Sequence, residues 1–215
     1  SLVTQVAGKG AFSFCMCPGG IIAPAATNNG EVVVNGWSPS KRNGNYANSG
    51  WVTEIGEEEW VDFKQHGPLA GLEFQKYIEQ KAYKMGGGQF KVPAQNLLDY
   101  LEEKQSDALN ASSYYPGKTS VDLNVLYPEA INFRLREGLR AITKKLKGFD
   151  HQDAVVTAPE SRTSAPVRIP RTADLHHTEI SNLYPCGEGA GYAGGIISAG
   201  LDGVRVVKAI KKIKG

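Results

Sequence analysis

Gly187-Glu188-Gly189-Ala190-Gly191-Tyr192-Ala193-Gly194-Gly195 places five of the chain's 25 glycines in one short run. Before it stands Asn182-Leu183-Tyr184-Pro185-Cys186, a strand candidate. After it, Ile196, Ile197, Leu201, Val204, Val207 and Ile210 recur at helical spacing. Glycines between a strand and a helix let the backbone turn sharply and approach a ligand, and a helix N-terminus offers unpaired N–H groups to a phosphate. Gly189, Gly191 and Gly194 even satisfy the G-x-G-x-x-G spacing. The doubly wound nucleotide fold also needs a second strand and an acid about 20 residues further on. That count from Gly194 arrives at Lys214, which leaves no room for a second strand. The run is therefore not the first βα unit of such a fold. Two readings stay open: a turn that meets a ligand, and a turn that lets a helix pack tightly.

Outward from this run, the first 56 residues read as β structure. Phe12–Met16, Ile21–Ala23, Glu31–Trp37 and Gly50–Ile55 are short apolar runs, with Asn29-Gly30 and Asn43-Gly44 between them as turn signals. They predict an antiparallel meander of three or four strands. From Pro68 the period becomes helical: Leu72, Phe74, Ile78 and Ala82 share a face, and Gly86-Gly87-Gly88 ends it. Pro93 predicts the start of a shorter helix with Leu97, Leu98 and Leu101. Gln105 to Ser120 reads as loop. Pro128-Glu129 opens a helix striped with Ile131, Leu135, Leu139, Ile142 and Leu146. Ala154–Thr157 and Pro166–Ile169 return to strand character. The fold class is α+β, an antiparallel meander with an inserted helical segment. The domain reading is residues 1–170 as one α+β domain and 171–215 as a strand, glycine turn and helix.

Composition narrows the function. Of 215 residues, 41% are hydrophobic and 21% charged, the usage of a chain that buries a core. A net charge of +2 without a basic stripe gives no reason to expect nucleic acid. No apolar run approaches a membrane span, and no secretory leader pattern opens the sequence. Three cysteines are too few for a disulfide scaffold, so a reducing cytoplasm is expected.

Several side chains are candidates for chemistry. Cys15 and Cys17 are two apart, which on a strand puts both thiols on one face. They read as small buried residues, as thiols lining a ligand face, or as half of a zinc site that would recruit Cys186, His176 or His177. Arg162 and Arg168 flank Thr163-Ser164-Ala165-Pro166, and a guanidinium suits an anionic substrate or a flavin's reduced pyrimidine edge. Arg171 has less to recommend it. His176-His177 reads as solvated surface, and the three tryptophans as packing of the meander. No residue can be named as a catalytic acid or base.

Leu183-Tyr184-Pro185-Cys186-Gly187-Glu188-Gly189-Ala190-Gly191-Tyr192-Ala193-Gly194-Gly195-Ile196 resembles the C-terminal flavin motif of FAD-dependent oxidoreductases. Phe12–Gly20, Asn35–Ser38 with Ala47–Ser49, and Glu160–Ile169 extend the resemblance to the uncharacterised FAD-dependent dehydrogenase family. The resemblance implies FAD as cofactor, with Gly187, Glu188, Gly189, Gly191, Gly194, Gly195 and Ile196 at the flavin. Glu188 would bond the ribityl hydroxyls. Arg162, Thr163, Arg168, Cys15 and Cys17 are the candidates next to flavin or substrate. Members of that family carry an N-terminal G-x-G-x-x-G unit, and this sequence has none upstream. The resemblance therefore implies a C-terminal portion of a longer cytoplasmic flavoprotein whose FAD-binding half is its partner, with a small-molecule substrate and NAD(P)H as further candidates. The flavin site would then be incomplete in this chain alone. Against it stand a non-catalytic ligand- or peptide-binding module and a small zinc-stabilised domain.

Overall fold

Apolar residues at alternating and at helical spacing each find the element that suits them, and the outcome is an α+β fold with no closed barrel. The structure, a computed structural model, describes residues 2–214, and the side chains of residues 2–212. They fall into two compact units, one of residues 1–61 with 76–161 and one of residues 62–75 with 162–215.

The first unit carries the sheets. Strands β1 (Val3–Val6), β2 (Lys9–Cys17) and β5 (Asn48–Thr53) form an antiparallel sheet in the order β1-β2-β5. Between β2 and β5, strands β3 (Ile21–Pro24) and β4 (Val34–Trp37) make a hairpin of their own. The expected meander is thus split. β5 passes over the hairpin to pair with β2, and Asn29-Gly30 lies in the long loop of the hairpin, where Gly30 takes φ +79°. Asn48 ties the two sheets together: its Nδ2 donates to the Ile21 carbonyl, 3.1 Å, while Cys17 is its strand partner.

Helix α1 (Ala70–Gly86) follows a long 3-10 segment, Glu57–Leu69, and stops where Gly87 and Gly88 adopt left-handed φ. The helix expected to start at Pro93 begins four residues later, as α2 (Leu97–Leu101). Pro93 instead lies inside β6 (Val92–Asn96), the middle strand of a second three-stranded sheet. Strand β7 (Lys118–Ser120) runs parallel to it and β8 (Val155–Thr157) antiparallel. Pro93 offers this strand no N–H, and its carbonyl accepts from the Ala158 amide, 3.2 Å. Gln95, buried in the same strand, accepts from the Leu123 amide at 2.8 Å and donates to the Lys104 carbonyl at 2.7 Å.

Helix α3 (Glu129–Thr143) covers the first sheet with Ile131, Leu139 and Ile142 buried. Gly138 makes the close approach possible: a Cβ there would lie 2.7 Å from the Trp51 ring and 3.0 Å from Ala11. The Trp51 indole donates to the Leu135 carbonyl, 3.0 Å. Trp37, by contrast, is exposed on the hairpin and packs no core.

In the second unit, the strands expected at Pro166–Ile169 and Asn182–Cys186 do not form. Prolines 166, 170 and 185 withhold backbone donors, and the chain is held instead by single bonds such as Ile169 N to Ala190 O and by the Arg171–His177 bridge. His176 and His177 are half-buried, and the His177 Nδ1 accepts from the amides of Glu179 and Ile180. Helix α4 (Ile196–Lys214) closes the chain.

Candidate functional site

The glycine run is a sequence of turns leading into α4, and its glycines divide by physical cause. Gly187 has φ +73° and Gly191 φ +81°, conformations that L side chains rarely adopt. Gly191 is also crowded, since a Cβ would stand 2.7 Å from the Val167 carbonyl oxygen. The fold itself requires these two. Gly189 and Gly194 have ordinary φ and open space where a Cβ would go, and a Cβ on Gly195 would meet only Ser198 Oγ, 3.9 Å away. Nothing within the described residues requires glycine at those three. They leave bare backbone facing outward, together with the amides of Ile196, Ile197 and Ser198 at the start of α4, which have no acceptor among the described residues.

One ion pair holds the run from behind. Arg171 donates to both carboxylate oxygens of Asp202 on α4, each at 2.9 Å, and the side chains are only 10% and 5% exposed. Asp202 also accepts from the Gly187 amide, 3.0 Å, and Arg171 donates to the Pro185 carbonyl, 2.9 Å. The Arg171 hydrogen bonds hold the Asp202 carboxyl down at about 2. Tyr192 lies under both arginines, with the guanidinium of Arg171 3.6 Å and that of Arg168 4.7 Å from its ring centre. Its hydroxyl donates to the Ile169 carbonyl, 2.9 Å.

Arg168, expected next to flavin or substrate, is therefore engaged with the turn, donating to the Gly191 carbonyl at 3.2 Å as well. Glu188 is half-buried and its carboxylate has no hydrogen-bond or ion-pair partner among the described residues, while its carbonyl accepts from Gly191 N. Ile196 is 91% exposed. Thr163 has a buried Oγ1 with no partner among the described residues, and Arg162 is half-buried. Sequence reading passed over Asp202 and undervalued Arg171. A lone acid on the apolar helix, a whole number of turns after the glycine run, was the signal available.

The cysteine pair belongs to the first unit and is not what strand alternation predicts. β2 slips register between Phe14 and Cys17, and Cys15 takes φ +46°. The bulge turns Cys15 outward while Cys17 stays buried, so the two thiols do not share a face. Burial first, then Glu160 and Cys17, raise the Cys15 thiol above its ordinary value. Among the described residues no three His, Cys, Asp or Glu side chains are grouped as metal ligands.

The chain belongs to the family described as FAD-dependent protein, C-terminal domain-like, whose model matches residues 1–163. A relative from Clostridium beijerinckii (strain ATCC 51743 / NCIMB 8052), described as an uncharacterized protein, is 43% identical over 204 residues. The match takes in 94% of this chain and 38% of the relative, so this chain spans well under half of that protein's length. No helix among the described residues is long and apolar enough to cross a membrane.

Proposed function

We propose that this chain supplies the substrate-side domain and the C-terminal part of the flavin site of an FAD-dependent dehydrogenase. The carrying observation is the set of glycines at 189, 194 and 195, which the described residues do not require and which a closely approaching ligand would. The fit to FAD is chemical. The amides at the start of α4 and the bare backbone before them suit a pyrophosphate, and the unpartnered Glu188 carboxylate suits the ribityl hydroxyls. When bound, FAD would supply two-electron chemistry. The chain's own contribution is to hold the turn: Asp202 fixes Gly187, Arg171 fixes Asp202, and Tyr192 is clamped beneath the arginines.

The partner in this reading is an FAD-binding segment that supplies the ADP-binding turn. Helix α4 supports it. Ile196, Ile197, Leu201, Val204 and Val207 are all more than half exposed, and a Cβ on Gly200 or Gly203 would meet nothing within 4 Å. Apolar surface beside helical glycines suits another backbone packing closely against it. NAD(P)H and a small organic substrate are the further partners proposed.

A visible spectrum tests this. This chain purified alone is expected to be colourless, and the full-length protein yellow, with flavin absorbing near roughly 450 nm. Stoichiometric flavin on this chain alone would overturn the claim of an incomplete site. A full-length protein that takes up no FAD would overturn the cofactor.

A further inference from the structure

The carboxyl of Glu160 sits on the sheet of the first unit, over Gly50 and beside the bulge of β2. A Cβ on Gly50 would lie 2.7 Å from Glu160 Oε2 and 2.6 Å from the Phe14 ring. Only a glycine in β5 leaves room for that carboxyl. The residues on either side of it are anchored, one by its main chain and one by its side chain. The Pro159 carbonyl accepts from Val34 N at 2.9 Å, and Ser161 Oγ donates to the buried Glu79 at 2.6 Å. Glu160 itself has no hydrogen-bond or ion-pair partner among the described residues. Its place is therefore set by its anchored neighbours and by the room over Gly50, not by a bond of its own among the described residues. Three stretches distant in sequence meet here: Phe14–Cys17, Asn48–Gly50 and Glu160.

We propose that Glu160 is the proton-exchanging residue of the substrate side, giving a proton to a small carbonyl or quinone compound as that compound is reduced. The inference rests on the dehydrogenase reading above. The substrate gains a hydride, two electrons and one proton, from the reduced flavin of that reading. Its oxygen takes a second proton from Glu160, and the carboxylate left behind recovers its proton from water. The groups facing Glu160 allow this. Cys15 on β2 and the half-buried Tyr127 contribute no positive charge, and burial alone pushes the carboxyl up to about 7. An acid with that value is both charged and neutral near physiological pH, the condition that favours proton transfer. Cys15 and Tyr127 are both raised, so they stay protonated and do not compete as bases.

Dicyclohexylcarbodiimide, which adds to protonated carboxyls in apolar settings, provides a test that needs no flavin. With peptide mass spectrometry on this chain, Glu160 should be labelled at pH 6.5, with labelling falling through a midpoint near 7. An unlabelled Glu160 would overturn the proposal whatever becomes of the cofactor. The second test uses the flavin-loaded full-length protein, reduced with dithionite and mixed with either of two oxidants. Glu160→Gln should slow reoxidation by duroquinone, which takes up protons, by about a hundredfold, the lower end for a positioned acid. Reoxidation by ferricyanide, which takes electrons only, should be unchanged. Equal effects on both oxidants, or on neither, would defeat the proposal. A full-length protein without flavin would defeat the cofactor reading instead, and the labelling result would still decide for or against Glu160.

Discussion

Helices α3 and α4 carry the same kind of sequence and end in opposite situations. Each has an apolar stripe at helical spacing, and each has glycine within the stripe. In α3 the stripe is buried on the β1-β2-β5 sheet, and Gly138 is there because Trp51 and Ala11 occupy the space a side chain would need. Among the described side chains of α4 only Asp202 and Val206 are buried, Ile197 is 76% exposed, and no described side chain comes within 4 Å of where a Cβ on Gly200 or Gly203 would stand. The pattern states that a face must be covered; it does not state by what. For α3 the cover lies within its own unit. For α4 the buried part is Val206 and an ion pair aimed back at the glycine turn, and most of the apolar stripe faces outward.

The largest effect should come from removing that ion pair. Asp202→Ala leaves the Arg171 guanidinium without its carboxylate and the Gly187 amide without an acceptor. Breaking a buried pair costs about 3–5 kcal/mol, and Arg171 keeps the Pro185 carbonyl and the Tyr192 ring, so about 3 kcal/mol is expected. Hydrogen exchange should show lost protection at residues 187–192 and along α4, with the α3 amides unaffected. The same pair gives the turn an acid dependence. Asp202 is held below the ordinary 3.8 at about 2, so its contribution is complete above that ordinary value and disappears as pH falls through about 2. Loss of protection already at pH 5 would mean that Asp202 does not hold the turn.

Gly138→Ala comes next. Its new methyl would meet Trp51 at 2.7 Å and Ala11 at 3.0 Å. Overpacking of this kind costs about 1–3 kcal/mol, more than the gain in helix propensity returns. Urea unfolding followed by tryptophan fluorescence should show the midpoint falling. An unchanged midpoint would mean that α3 can lift from the sheet at little cost, and the contrast with α4 would narrow.

What was legible in the sequence follows from the same physics. The two helices could be read because their stripes have a period that few alternatives share, and the glycine run because glycine excess is local and visible. The β2–β5 pairing could not be read from local signals. Asn29-Gly30 and Asn43-Gly44 advertise turns between neighbours, whereas β5 returns to a strand more than thirty residues earlier. Cys15 was misplaced for a related reason, since alternation fails at a bulge and nothing in Phe14-Cys15-Met16-Cys17 announces one. Arg171 and Asp202 are 31 residues apart, and Glu160 reaches Gly50 only through the fold. Turns and periods are local quantities; partners of charged groups are not.

The smallest effect tests the comparison most directly. Gly200→Ala and Gly203→Ala add a methyl where nothing lies within 4 Å, on a helix whose glycines each cost about 0.8–1 kcal/mol relative to alanine. In this chain each substitution should therefore raise the thermal midpoint of helix loss followed by circular dichroism, by an amount matching up to about 1 kcal/mol. In the full-length protein, where the proposed FAD-binding segment covers this face, the same methyl groups should weaken packing and lower flavin retention. A gain in both proteins would mean that α4's outward face is left uncovered. A loss in this chain would mean that its own residues already cover that face, and α3 and α4 would then be two cases of one arrangement.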